Sequence, residues 1–309
     1  MEYAKGVSPE IANRPRLVER LALYRERRRR GARELGRLKR SDVVLFSPGN
    51  SGRTWLRVML TRVIEQTYDL SSPPLVSFDN LRKLDHRIPA IAVTHNRWLP
   101  YFRRPRRGRE CAPYYSQRVL MLVRNPIDTC VSQYFQWKHR SKDTNVALKG
   151  WPPRSSDLSL QDFLAQPRTG VEQLCAELAT WLRESHKFQA VSILRYEDML
   201  VDPATSLRQA VEFLSLPVSD EVLGEAVDYG SFGKMKQREM DRVDAERPDG
   251  EPAMTATTAD GHKTRAGKIG GYQQYLSAAE CEYYAGVVAA NLPPAFGYSQ
   301  LPEIHPLAT

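Results

Sequence analysis

The stretch Val43-Val-Leu-Phe-Ser-Pro-Gly-Asn-Ser-Gly-Arg-Thr-Trp-Leu-Arg57 decides the reading of the fold. Val43 to Phe46 is a short apolar run closed by Ser-Pro-Gly, the pattern of a buried strand. Past the loop 47–53, Leu56, Met59, Leu60, Val63 and Ile64 recur at helical spacing and set one apolar face on a helix from about Thr54 to Gln66. Strand, glycine-containing turn and helix form the unit in which free amides at a helix N-terminus receive a phosphate.

Outward from this unit the same alternation continues. Ile91 to Val93, Val119 to Val123 and Val191 to Leu194 read as strands, and 128–138, 171–186 and 204–215 as helices. Ser277 with Glu280 is a capping-box signature for a last helix near 277–290. Strands alternating with helices predict a single α/β domain with a central parallel sheet flanked by helices, its site at the carboxyl ends of the strands. The domain is placed at 41–300, with a tail at 301–309. Residues 241–271, rich in Gly, Pro, Thr, Asp and Arg without hydrophobic period, read as a long mobile loop.

Charge is unevenly distributed. The chain of 309 residues carries 45 Lys and Arg against 36 Asp and Glu, a formal +9. The segment Arg14 to Arg40 holds twelve basic residues against Glu19, Glu26 and Glu34, an excess of nine, while 41–309 balances 32 against 31. Residues 1–40 therefore read as a basic, peripheral helical extension whose deletion spares cofactor binding. A solvated surface helix and a contact with an anionic membrane through 14–40 both fit it, and no nucleic-acid partner is expected. No apolar stretch is long enough to span a bilayer and no signal-type run opens the chain, so a cytoplasmic protein, peripheral to the membrane at most, is expected. Cys111, Cys130, Cys175 and Cys281 lie far apart with no Cys-x-x-Cys pair, which signals neither a disulfide framework nor a metal site.

Four places carry chemistry. In the first loop, Ser51, Thr54 and the surrounding amides are phosphate donors, although no Gly-Lys-Ser/Thr of a Walker loop is present. Arg124 ends an apolar strand in Val123-Arg-Asn-Pro, a costly position for a charge unless an anion or a carboxylate such as Asp128 meets it. Ser132 lies two helical turns on. The basic, Gly-rich Lys263-Thr-Arg-Ala-Gly-Lys-Ile-Gly-Gly-Tyr272 is suited either to closing over a polyanion or to a solvated surface. His95 ends a strand, a place for a general base or a satisfied structural histidine.

In order and type, Ser-Gly-Arg-Thr-Trp at 51–55, Thr94-His95, Val123-Arg-Asn-Pro with Ser132, Tyr196-Glu-Asp-Met and Arg265-x-Gly-Lys-x-Gly-Gly-Tyr272 resemble the sulfotransferases that use 3'-phosphoadenosine 5'-phosphosulfate (PAPS). The resemblance covers about residues 41–290 and is nearest to bacterial members. It implies a P-loop-like phosphosulfate-binding loop after the first strand, with Asn50, Ser51, Gly52, Arg53 and Thr54 at the phosphosulfate. It further implies Trp55 and Tyr196 at the adenine, and Arg124, Ser132, Arg265 and Gly267 at the 3'-phosphate. His95 falls at the family's catalytic base, and no metal is required.

One departure stands out. Asn50 occupies the position of the family's basic loop residue, which neutralises the leaving phosphate, a role worth several kcal/mol in sites of this kind. Either Arg53, or one of Arg57 and Arg97, supplies the charge, or the protein binds the nucleotide with weak or no transferase activity. A P-loop nucleotide kinase is the other alternative, against which the missing loop lysine counts. The expected acceptor bears a hydroxyl, less readily an amine, on a glycan, glycolipid or small molecule. Six arginines from Arg97 to Arg109, interleaved with Trp98, Tyr101 and Phe102, suit either an anionic or glycosylated acceptor or a plain basic surface loop.

Overall fold

The computed structural model describes residues 17–244 and 267–298. Helix α1 (Leu17–Leu38) precedes β1 (Val43–Phe46), α2 (Arg53–Thr67), β2 (Ile91–Thr94), β3 (Arg118–Val123), α3 (Pro126–Phe135) and α4 (Asp143–Lys149). Then come α5 (Val171–Glu184), β4 (Ala190–Arg195), α6 (Pro203–Phe213), α7 (Asp220–Tyr229), α8 (Phe232–Asp244) and α9 (Ala278–Asn291). The four strands form one sheet in the order β2-β1-β3-β4, every pair parallel. The α/β expectation holds, and each expected strand is present, the last three one residue longer at one or both ends.

A parallel sheet must be covered on both faces, and the alternation of side chains along β1 shows how this is met. Val43 and Leu45 join Leu120, Leu122 and Leu194 under α2, α6 and α7. Val44 and Phe46 face the other way with Val119, Met121 and Val123, under α3, α5 and α9. There Phe46 stacks on Trp181 of α5 at 3.6 Å between ring centroids. The capping box of α9 is formed by Ser277 and Glu280. At the other end of the chain order, α8 occupies 241–244 of the segment read as a loop, and 245–266 lie outside the described residues.

The arginine-rich helix differs from its sequence reading. The expected helical extension is one continuous helix, and it is packed on the domain rather than solvated all round. Gly31 meets the turn Leu99–Phe102 so closely that a Cβ would sit 2.4 Å from the Trp98 carbonyl oxygen. The Glu34 carboxylate accepts the Leu99 amide at 2.9 Å and the Thr94 hydroxyl, and Leu38 is buried. Arg27 donates to the Ala147 and Leu148 carbonyls at the end of α4, at 2.7 and 2.9 Å. Arg30, Arg27 and Arg28 lie over the rings of Trp98, Tyr101 and Phe102. Those aromatic faces are therefore taken up inside the protein, while Arg103, Arg104, Arg106, Arg107 and Arg109 are exposed. Arg14 and Arg16 lie outside the described residues. No helix among the described residues is long and apolar enough to cross a membrane.

Candidate functional site

Four strands end at one edge, and the residue after each end is a candidate: Ser47 after β1, His95 after β2, Arg124 after β3 and Tyr196 after β4. This is where ligands bind in open parallel sheets. The loop from β1 to α2 turns through two residues with positive φ, Asn50 at 69° and Gly52 at 85°. Asparagine tolerates that region, and glycine is required at 52 for a second reason. A Cβ there would lie 2.4 Å from the Tyr196 ring. Gly52 is the N-cap of α2 and no side chain caps the helix, so its first amides remain open to an anion.

Buried polar atoms without partners test whether this loop fits a phosphate-bearing ligand. Ser47 Oγ, Ser51 Oγ and Arg124 Nε are all buried and unpaired. Hydroxyls and a guanidinium left unsatisfied beside an open helix N-terminus are the donor set that an oxyanion completes. Arg124 also donates through Nη1 to the Asn50 carbonyl at 3.3 Å and to Ser132 Oγ at 3.4 Å, which joins the two segments proposed for one ligand. Its guanidinium lies 4.3 Å from the centre of the Tyr196 ring. Tyr196 in turn meets Trp55 edge to face at 6.0 Å, and the Trp55 indole donates to the Gly230 carbonyl.

Asp128, offered in the sequence as a partner for Arg124, stands 4.0 Å from it and has a second task. Its carboxylate accepts the amides of Gly270 and Tyr272 at 2.9 and 3.0 Å, anchoring the Gly-rich segment to α3. Asn125 caps α3 through the amides of Ile127 and Asp128, and Pro126 follows at the first helical position, the local logic of Arg-Asn-Pro. Glu197 accepts the Asn125 amide at 2.8 Å. Gly267 has φ 56° and lies against Phe232, while Arg265 is outside the described residues. Asp128 and Glu197 were missed as site-building residues, since only folding brings residues 72 and 144 positions apart together.

His95 has a defined tautomer. Nδ1 lies 2.6 Å from the Ser47 carbonyl oxygen, a group that only accepts, so Nδ1 carries the proton and Nε2 the lone pair. Burial, then the charges of Arg53 and Arg97, hold the imidazole well below its usual range and therefore neutral. Arg53 is itself desolvated, its guanidinium lowered to about 10 by burial and by Arg57 and Arg97. Asn50 Nδ2 donates one of its hydrogens to the Ser132 carbonyl at 2.9 Å. Arg57 donates to the Val76 carbonyl.

A cavity of about 480 Å³ opens beside His95, between Pro48 and Gly49 on one side and α5 on the other. Arg97, Lys149, Trp151 and Glu177 line it. None of these, Arg97 apart, was singled out in the sequence, for they come from three separate segments. The cavity is the size of a small-molecule site.

Comparison with known proteins agrees with this geometry. A model of the sulfotransferase domain matches residues 40–292. Among curated relatives, cytosolic sulfotransferase 16 of Arabidopsis thaliana is 24% identical over 257 residues, covering 77% of this chain and 72% of its own. The 3-alpha-hydroxysteroid sulfotransferase of Cavia porcellus is 23% identical over 273 residues, covering 83% and 86%. Among solved structures, a mouse sulfotransferase complexed with PAP has a TM-score of 0.53 at 17% identity, over 82% of this chain and 84% of that one. Retinol dehydratase in complex with retinol and PAP also gives 0.53 at 17%, over 82% and 81%. The structural likeness speaks for the fold.

Proposed function

The chain belongs to the sulfotransferase family, and we propose that it transfers the sulfuryl group of PAPS to an acceptor hydroxyl in the cavity beside His95, with His95 as general base. PAPS supplies the sulfuryl group, and adenosine 3',5'-bisphosphate (PAP) leaves. The loop amides with Ser51, Gly52 and Thr54 hold the phosphosulfate end, Trp55 and Tyr196 flank the adenine, and Arg124 and Ser132 with Gly267 take the 3'-phosphate.

The observation that carries this reading is the locked imidazole. His95 lines the cavity with Nδ1–H committed to Ser47, so Nε2 is left to take the proton of a hydroxyl. A proton on His95 is disfavoured first by burial and then by the charges of Arg53 and Arg97. An anionic donor near these arginines offsets their field and raises the basicity of His95 when acceptor chemistry needs it. Arg53 is the cation we assign to the charge that develops on the leaving phosphate, in place of the family's loop lysine. Asn50, tied to Ser132, holds the loop in shape.

The acceptor is a hydroxyl-bearing small molecule or glycan. Incubating the protein with PAPS and a small-molecule and glycolipid extract, then following the mass shift of sulfate addition, identifies it. His95→Ala is expected to lower turnover on that acceptor about 100-fold or more while PAP binding is kept. Normal turnover in that variant would overturn the assignment. Thermal stabilisation by PAP, with no transfer to any acceptor, would instead favour a nucleotide-binding protein of the same fold.

A further inference from the structure

The acceptor cavity has a charged end that sulfuryl transfer itself does not require. Lys149, the last residue of α4, holds its ammonium 4.1 Å from the centre of the Trp151 ring, and Arg97 holds its guanidinium 5.5 Å from the same ring. Two cations thus lie over one aromatic ring, and neither forms a hydrogen bond or ion pair with a described residue. Like charges gathered in a half-buried pocket repel one another and lose hydration, so they persist where an anion is to be met.

We propose that Lys149 and Arg97, beside the Trp151 ring, form a subsite for a carboxylate or phosphate carried by the acceptor in addition to its reacting hydroxyl. This rests on the transferase reading above and names the chemical class of its acceptor. The subsite and the base line the same cavity, whose walls include His95 and Gly49 as well as Lys149 and Trp151. The Arg97 guanidinium also reaches the loop after β1, since a Cβ on Gly49 would lie 3.8 Å from Arg97 Nη2. Across the cavity, α5 contributes Glu177, Gln173 and Thr180.

The pocket's net charge agrees. Burial raises the Glu177 carboxyl to about 7, with Arg97 acting the other way, so this acid is only about half ionised at neutral pH. Lys149 is lowered to about 8 by burial and by Arg97 and Arg140, and is still protonated there. The placement of Lys149 is built in. Arg27 of α1 satisfies the last carbonyls of α4 at Ala147 and Leu148, one and two residues before Lys149. The arginine-rich helix thereby supports a wall of the acceptor site.

Binding to PAP-saturated protein tests the subsite apart from catalysis. Two matched pairs serve as probes in calorimetry: 4-hydroxyphenylacetate with its methyl ester, and glucose 6-phosphate with glucose. At least one anionic member is expected to bind about tenfold or more tightly than its neutral partner, and the pair that does so tells carboxylate from phosphate. Lys149→Met is expected to abolish that preference and Lys149→Arg to restore it, with PAP affinity unchanged in both. Equal binding within both pairs would overturn the proposal, as would no binding by any probe. A preference surviving in Lys149→Met would do the same, and so would an equal loss of PAP affinity, which would assign Lys149 to the nucleotide. Labelled-sulfate transfer is scored separately. Its absence, with the anion preference intact, would count against the transferase reading and leave the subsite standing.

Discussion

Replacing Asp128 by Asn separates two roles that its position allows, because they change nucleotide affinity in opposite directions. Its side chain is 3% exposed, receives the amides of Gly270 and Tyr272 at 2.9 and 3.0 Å, and lies 4.0 Å from the Arg124 guanidinium. Asn keeps one acceptor and turns an NH2 group toward the second amide, so one charge-assisted bond is lost outright. Such a bond contributes about 1.5 to 3 kcal/mol, which puts the loss near 2 kcal/mol. At about 2.1 cal/mol/K of unfolding entropy per residue, the 309 residues give about 0.65 kcal/mol/K, so the melting midpoint falls by about 3 °C. If the segment 267–272 must be closed on α3 to hold the 3'-phosphate, PAP affinity falls too, by up to about 30-fold for 2 kcal/mol. Were Asp128 simply a counter-charge to Arg124, its removal would leave Arg124 more attractive to phosphate and PAP would bind more tightly. Calorimetric titration with PAP, alongside thermal melts, reads both numbers. Unchanged or tighter PAP binding by Asp128→Asn would refute the anchoring role.

Other outcomes follow from the same geometry. Arg53→Ala is expected to lower turnover about 100-fold with PAP affinity within a few-fold of wild type, the loss of one transition-state cation; unchanged turnover in a steady-state sulfate-transfer assay would remove Arg53 from that role. Deleting residues 1–40, expected from charge alone to spare cofactor binding, is expected from the packing of α1 to destabilise the fold. It removes buried Leu38 and the Glu34 bonds to Thr94 and Leu99, about 4 kcal/mol in sum, and an unaltered melting midpoint would show that α1 is only lightly attached. Anionic-probe binding should weaken by about tenfold as pH rises from 6 to 9, while binding of the neutral ester stays flat. Glu177 ionises through about 7 and Lys149 loses its proton through about 8, both making the cavity less positive. Arg97 keeps its charge there, His95 stays neutral, and Glu110 is already ionised, its carboxyl being held low. A flat profile for the anionic probe would exclude these two groups as its partners.

Much of the loop cluster at the strand ends was readable from residue order, because it is built from local units. Val43–Phe46 is apolar enough to be a strand wherever it lies, the loop with Asn50 and Gly52 turns for local reasons, and Asn125-Pro126 starts a helix by capping it. Strand ends of a parallel sheet then gather Ser47, His95, Arg124 and Tyr196 without further information. The readings that changed were those resting on charge or composition. A run of arginines looks the same whether it is solvated or laid over Trp98, Tyr101 and Phe102, and which occurs depends on surfaces 70 residues away.

By itself, then, the chain's sequence determined the α/β alternation, the phosphate loop and the family motifs, all of which depend on spacings within about a dozen residues. Tertiary structure alone decided the tautomer of His95, the anchoring of the Gly-rich segment by Asp128, and the docking of the basic helix. It also brought Arg97, Lys149 and Glu177 into one cavity. The physical reason is common to these: each depends on a hydrogen bond, a desolvation or a charge contact between segments distant in sequence, and such interactions acquire strength and direction only when folding excludes water between them.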